Sequence, residues 1–343
     1  MPEASKRGRQ NNNSDDSPAA KKTAPSSTSS EPEETVQPPV IPAKVFRLKH
    51  VFKEISTLQD DEDYEPDDWE DHFGFDWRIV VTITDNHLSA YVEEKSEEMY
   101  IEGVLKFDLI GRNADSTEKK LSVISIVDRE NDPFTNYRPI KILEWEKLGE
   151  YTVDDELEIH VEVSISYMEK LGSNDPSKFD SSKSEVSDCI LVARDQKFHV
   201  CRNFLATHSP YFKALLLGLY KEANMPEIPL PGLDPYDVEN FLRVIYGYKA
   251  INDQNVEGLL LIADKHDTPI IKERCEEFLV EESEKSMKKL FDMFFKYNCD
   301  VDKIIDGITT LDEYKEVIGG DIDRFDNGLA KKLLKKSAEI LLG

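Results

Sequence analysis

The stretch ELEIHVEVSIS (156–166) alternates strictly: Leu157, Ile159, Val161, Val163 and Ile165 fall on one side, and Glu156, Glu158, His160, Glu162 and Ser164 on the other. Only an extended chain puts every second side chain on one face, so this segment predicts a strand with one buried and one wet face. VFRLKHVF (45–52), WRIVVTIT (77–84), HLSAYVE (87–93), VLKFDLIG (104–111) and LSVISIV (121–127) are further strand candidates, separated by Gly, Asn and Asp turns. Short strands at regular spacing, with no helix between them, predict an antiparallel β-sandwich over residues 45–168.

The period changes after a Ser-, Asp-, Lys- and Gly-rich linker at 169–185. Two short strands, CILVA (189–193) and KFHV (197–200), give way to helical spacing. Asp234 before Pro235 predicts an N-cap with proline in the first turn of DPYDVENFLRVIYG, which stops at Gly247, and Thr268-Pro269 repeats the device. NVEGLLLIADKH (255–266), FDMFFKY (291–297) and GLAKKLLKKSAEILL (328–342) continue the helices. The expected organisation is multidomain: the sandwich, an α/β domain at 186–282, and a helical C-terminal extension at 283–343. Residues 1–44 have almost no large apolar side chain before Val40, cannot offset ordering entropy by burial, and are expected to form a disordered tail. In that tail Lys6-Arg7 and Lys21-Lys22, 13 residues apart, loosely match a bipartite nuclear-import signal, set against the plainer reading of a solvated mixed-charge segment.

The formal net charge is −26, with most of the excess in 45–172, which argues against a nucleic-acid partner because phosphate recognition needs clustered positive charge. The densest run, DDEDYEPDDWED (60–71), has nine carboxylates in twelve positions but lacks EF-hand spacing, so it reads as a self-repelling loop over a calcium or basic-partner site. Cys189, Cys201, Cys275 and Cys299 form no CxxC pair and read as reduced thiols, with no metal expected. There is no membrane-length apolar run and no signal-peptide core, so a soluble, mainly cytoplasmic protein with nuclear access is expected. There is no GxSxG, phosphate loop or HExxH, and His160, His199 and His208 read as ordinary hydrogen-bonded or surface residues. No catalytic residue and no cofactor is expected.

SDCILVARDQKFHVCRNFLATHSPYFKALL (187–216), EIPLPGLDPYDVENFLRVIYG and LLLIADKHDTPIIKERCEEFLV closely resemble a BTB/POZ domain. FRLKHVFKEIS, HFGFDWRIVV, LKFDLIG and YTVDDELEIHVEVSI resemble successive strands of a MATH (TRAF-like) domain. The order is that of the nematode-type MATH-BTB proteins, which are similar to the speckle-type POZ proteins. The resemblance implies a non-catalytic substrate adaptor of a cullin-3 RING ubiquitin ligase. In such an adaptor the MATH domain binds a protein substrate, and the BTB domain forms a homodimer and docks the cullin. The alternative is a BTB-mediated homodimeric scaffold, or a transcription or chromatin regulator, without cullin.

The resemblance also implies sites. Tyr220-Lys221-Glu222 falls where cullin-binding BTB domains carry a hydrophobic residue, any residue, then Glu, an apolar anchor with a polar rim; from the three residues alone, Tyr220 packing against the next strand is the plainer reading. The C-terminal helices match an extension that enlarges that surface. Asp188 and Arg202 stand where the family places an acid and a base near the dimer interface, with Phe179 as an apolar contact; an ordinary surface ion pair is the other reading. Tyr91, Leu105, Phe107 and Tyr137 correspond to the peptide groove. Leu105 replaces a usual Phe, RPI follows Tyr137, and Phe107 fits core and groove equally because it shares a strand face with Leu105.

Overall fold

The structure is a computed structural model that describes residues 44–96, 99–112, 118–127, 139–170, 177–218, 220–319 and 325–342; Tyr137 and residues 1–43 of the expected tail lie outside the described residues, whereas Lys44, read as the last residue of that tail, is buried and opens the first strand. The first domain is built from β1 (Lys44–Phe52), β2 (Asp63–Tyr64), β3 (Glu70–His72), β4 (Phe75–Thr84), β5 (His87–Glu94), β6 (Met99–Arg112), β7 (Glu118–Val127), β8 (Ile140–Glu144) and β9 (Leu157–Lys170). One sheet runs β1-β9-β6-β7 and the other β2-β4-β5-β8, with β3 on the β4 edge. Every pairing between these nine strands is antiparallel, as the alternation predicts. The β4–β5 hairpin turns on Asp85 and Asn86, both at positive φ, which matches the right-handed twist of the strands.

The inward side chains of β9, Leu157 through Ile165, meet Trp77, Ile79, Val81 and Ile83 of β4 and Leu88, Ala90 and Val92 of β5 in one apolar core. β2, β3 and β8 were not expected. They are short, and their burial patterns lack the regular alternation that marks a longer strand.

The second domain begins inside the segment read as linker. Residues 181–186 form a 3₁₀ turn, Phe179 is buried in the core, and its carbonyl accepts the His199 N–H at 2.7 Å. β10 (Cys189–Ala193) pairs antiparallel with β11 (Gln196–Val200) and parallel with β12 (Glu227–Pro229). The helices are α1 (Arg202–His208), α2 (Pro210–Leu217), α3 (Pro235–Ile245), α4 (Val256–Lys265), α5 (Pro269–Glu281), α6 (Met287–Lys296), α7 (Val301–Gly307), α8 (Leu311–Ile318) and α9 (Asn327–Leu342).

Asp234 caps α3 as expected, accepting the Tyr236 N–H at 2.8 Å. Thr268 stands at the N-cap of α5 but makes no capping bond; its hydroxyl donates instead to the His266 carbonyl at 3.3 Å. α2 ends at Leu217. There Gly218 turns back so tightly that a Cβ would lie 2.2 Å from the Ala214 carbonyl oxygen. A single core runs from Phe179 through α3, α4 and α5 to Phe291, Phe294, Ile305, Val317 and Leu333, so the C-terminal helices extend the α/β domain and share its core.

His266 closes α4 fully buried, its ring stacked on Phe212 with centroids 5.2 Å apart. Burial pushes its pKa down to about 4. The folded state therefore holds the neutral ring, while the unfolded chain takes up a proton below its ordinary value near 6.5. Stability from this group is complete above pH 6.5 and lost as pH falls toward 4, on the order of 3 kcal/mol. Glu257 is also held low, at about 2, because Lys289 and Lys296 outweigh its burial, and it adds its own loss only as pH falls below the ordinary carboxylate range. Urea midpoints measured from pH 7 to pH 4.5 should fall in the wild type and fall distinctly less in His266→Gln; parallel curves would refute the assignment.

Candidate functional site

β5 has two faces. Leu88, Ala90 and Val92 point into the sandwich, while Ser89, Tyr91 and Glu93 point out. Tyr91 lies beside Val80 of β4, is 8% exposed, and donates its hydroxyl to Asp63 Oδ2 at 3.4 Å. That burial and the nearby Asp63 hold its phenol above the ordinary tyrosine range.

Leu105 and Phe107 are placed elsewhere. They pair with Val163 and Val161 of β9 and belong to the core between the sheets, Phe107 with no exposed surface. Of the residues matched to the peptide groove, Tyr91 is on the outer face of its sheet and Leu105 and Phe107 are between the sheets, so the structure does not bring them together. The acidic run at 60–71 is not a free loop throughout. Glu65 pairs with Arg78 at 2.5 Å, and Arg78, which also pairs with Glu93, lies over the Trp69 ring at 4.4 Å. No group of side chains suited to hold a metal occurs among the described residues.

On the second domain Tyr220 follows Gly218 on a segment that leads into a 3₁₀ turn, Lys221–Asn224. Its ring is half-buried, and its carbonyl accepts the Ala223 N–H at 3.1 Å. Lys221 is exposed. Glu222 is 2% exposed, and its Oε2 has no hydrogen-bond partner among the described residues. A polar rim would have left this carboxylate wet; the turn instead tucks it inward beside Tyr211, whose own hydroxyl is held above its ordinary range by burial and by the neighbouring Tyr220 and Glu222.

Asp188 and Arg202 are joined, but not as a charge pair. The Asp188 carboxylate accepts the Arg202 backbone N–H at 2.7 Å, at the start of α1. The Arg202 guanidinium donates to the Leu216 carbonyl at 3.3 Å, to that of Ala223 at 2.8 Å, and to that of Met225. Arg202 therefore ties the end of α2 and the Tyr220–Asn224 turn to the start of α1. Phe179 is interior, edge-on to Tyr246 at 5.1 Å, and Tyr246 in turn carries Phe204 at 4.6 Å. Phe204 is 38% exposed and Val186 72%. This aromatic column, from core to surface, was missed in the sequence. Its signal was a large apolar residue, Phe204, beside the inward Leu205 on a short helix.

His199 approaches the Ser187 hydroxyl at 3.4 Å, His160 the Glu158 carboxylate at 2.7 Å, and His208 stacks edge-on to Phe204. No helix among the described residues is long and apolar enough to cross a membrane.

Comparison with known proteins bears on both halves of the chain. The MATH domain profile matches residues 52–165 and the BTB/POZ domain profile residues 179–283; neither is named for a catalytic activity. BTB and MATH domain-containing protein 15 of Caenorhabditis elegans is 34% identical over 266 residues, covering 76% of this chain and 95% of that protein. BTB and MATH domain-containing protein 45 of the same organism is 32% identical over 258 residues, covering 73% of this chain and 53% of that protein. Kelch-like protein 40a of Danio rerio is 36% identical over 93 residues, covering 27% of this chain and 15% of its own length. With a sandwich that matches MATH, an α/β domain that matches BTB, and a relative aligned over nearly its whole length, this chain belongs to the BTB and MATH domain-containing proteins.

Proposed function

We propose that this chain is the substrate-recognition adaptor of a cullin-3 RING ubiquitin ligase, in which the MATH sandwich binds the target protein and the BTB domain pairs with a second copy and docks the cullin. The observation that carries the reading is the turn at Tyr220–Asn224. It displays a half-buried aromatic ring and an exposed lysine beside Glu222, whose carboxylate oxygen lacks a donor within the described chain. A buried acceptor left unmatched costs about 1–3 kcal/mol, so a partner that supplies an N–H or O–H there, while covering the Tyr220 ring, recovers that energy. In this reading the chain makes and breaks no bonds itself. It acts in the cytoplasm, with any nuclear pool set by Lys6, Arg7, Lys21 and Lys22.

For the homodimer, the reading rests on exposed Phe204, supported from beneath by Tyr246, which Phe179 backs in turn, and on exposed Val186. An exposed aromatic backed by a rigid aromatic column has the character of an interface anchor, because little side-chain entropy remains to be lost on association. For the target, the reading places an extended peptide on the outer face of β4 and β5 around Tyr91, with the acidic loop favouring basic or polar residues at the peptide's ends.

Calorimetry of the full chain against the cullin-3 N-terminal domain should show binding that falls at least about thirtyfold in Tyr220→Ala, the effect of losing a hot-spot aromatic worth about 2 kcal/mol. Equal binding by the wild type and a Tyr220→Ala, Glu222→Ala double variant would leave the scaffold alternative standing and sink the adaptor. Light scattering should give twice the chain mass for the wild type and the monomer mass for Phe204→Glu; a wild-type monomer at micromolar concentration would contradict the dimer. Tyr91→Ala should retain its fold and lose target proteins recovered with the wild type; a folded Tyr91→Ala protein that keeps every such partner would remove Tyr91 from the target site.

A further inference from the structure

The densest set of buried charges lies away from the surfaces assigned to partners, where the sandwich meets the helices. Glu257 on α4 is 1% exposed. Its carboxylate accepts the Phe73 backbone N–H of the sandwich at 2.8 Å, the ammonium groups of Lys289 and Lys296 on α6 at 2.9 and 3.0 Å, and the Tyr297 hydroxyl at 3.3 Å. Lys289 also donates to the Asp71 carbonyl at 2.6 Å, and Lys285 to the Asp71 carboxylate at 2.5 Å. One carboxylate thus joins three parts of the chain: the β3–β4 turn, the BTB helix α4 and the extension helix α6.

A second anchor stands at the other end of the junction. Lys44, the first residue of β1, is buried against Asp237 of α3 at 2.9 Å. Asp234, already the cap of α3, accepts the Met168 N–H of β9 at 2.6 Å. Between the anchors Gly74, at φ +80°, sits so close to the BTB domain that a Cβ would lie 2.3 Å from Gln254 Cα. Leu261 packs against both cores, and Arg194 pairs with Glu102 while lying over Tyr167 at 4.1 Å.

Buried charges of this kind are satisfied in one geometry only. Turning the sandwich on the BTB domain would strand Lys44, Asp237, Glu257 and Lys289 in a poorly hydrated junction, where each unpaired ion costs several kcal/mol. We propose that this junction is a lock that holds the MATH domain in a single orientation on the BTB domain and its helical extension, with the Glu257 and Lys44 anchors acting as one cooperative unit. The lock stands on the geometry alone. Its use rests on the adaptor reading: a target held on the sandwich is then presented at a fixed angle to the cullin-docking turn, set by ion pairs and not by linker length.

Hydrogen–deuterium exchange on the full chain tests this at the two anchors separately. In the wild type, peptides covering Phe73 and Met168 should exchange as slowly as the strands around them, since both amides donate to buried BTB carboxylates. Lys44→Met breaks only the far anchor, yet a cooperative lock predicts that it speeds exchange at Phe73 by at least about tenfold, with β6, residues 157–165 of β9 and α5 unchanged. Glu257→Gln, which keeps the shape and removes the charge, should do the converse at Met168. A wild-type Phe73 amide that exchanges like an exposed loop, or a Lys44→Met protein with Phe73 unaltered, overturns the lock. Should Glu257→Gln lose protection throughout, Asp71→Asn, which weakens the Glu257 side of the junction from the sandwich rim, replaces it with the same expectation at Met168. Cullin-3 affinity measured on the wild type separates the two ideas: binding with an open junction refutes the lock alone, and absent binding with a protected junction refutes the adaptor alone.

Discussion

A carboxylate taken out of water must be given donors, and Glu257 receives its donors from parts of the chain that are far apart in sequence. Phe73 is 184 positions away and Lys296 is 39. The desolvation cost is offset only when the sandwich, the α/β domain and α6 are all in place, so this one side chain makes their arrangement conditional on one another. Lys44 repeats the logic with the sign reversed, carrying a cation from the first residue of β1 into the acidic start of α3. Apolar packing across the same junction is slight by comparison, with Leu261 bridging the cores; apolar contact tolerates sliding and rotation, whereas matched buried ions do not.

The surfaces assigned to partners depend on interior support in the same way. Phe204 can be exposed and still ordered because Tyr246 backs it and Phe179 backs Tyr246. The turn carrying Tyr220 is held by Arg202, which spends its guanidinium on the backbone carbonyls of Leu216, Ala223 and Met225 and makes no ion pair with Asp188. That arrangement gives Arg202 a reason to be there that is separate from any interface. It fixes where α2 ends and how the following turn leaves it, and so where Tyr220 is displayed.

Much of the fold was legible because period is a local property. Alternation in 156–166 and 77–84 needs no knowledge of neighbours to imply a strand with one buried face, and Asp234-Pro235 marks a helix start by backbone chemistry alone. β2, β3, β8 and β12 were not legible. Strands of two or three residues carry too few alternations to show a period, β8 buries two adjacent residues and so breaks the alternation, and all four exist because a longer strand beside them offers unpaired backbone groups. The end of α2 had its signal in Gly218, but how tightly the chain turns back there depends on the approach to Ala214.

By itself the sequence determined two unlike domains, their order, the side of each long strand that faces inward, and the segment at Tyr220–Glu222 as a place to look for a partner. Tertiary structure decided which face of which sheet each aromatic joined: Tyr91 lies outside, Phe107 inside, and Leu105 with it. It also decided that Glu222 is buried, that Phe179 supports an exposed ring from within, and that Glu257 and Lys44 bind the domains together. Each depends on which elements pack against which, and a buried polar atom or a displayed ring is defined by neighbours distant in the chain as well as by those beside it.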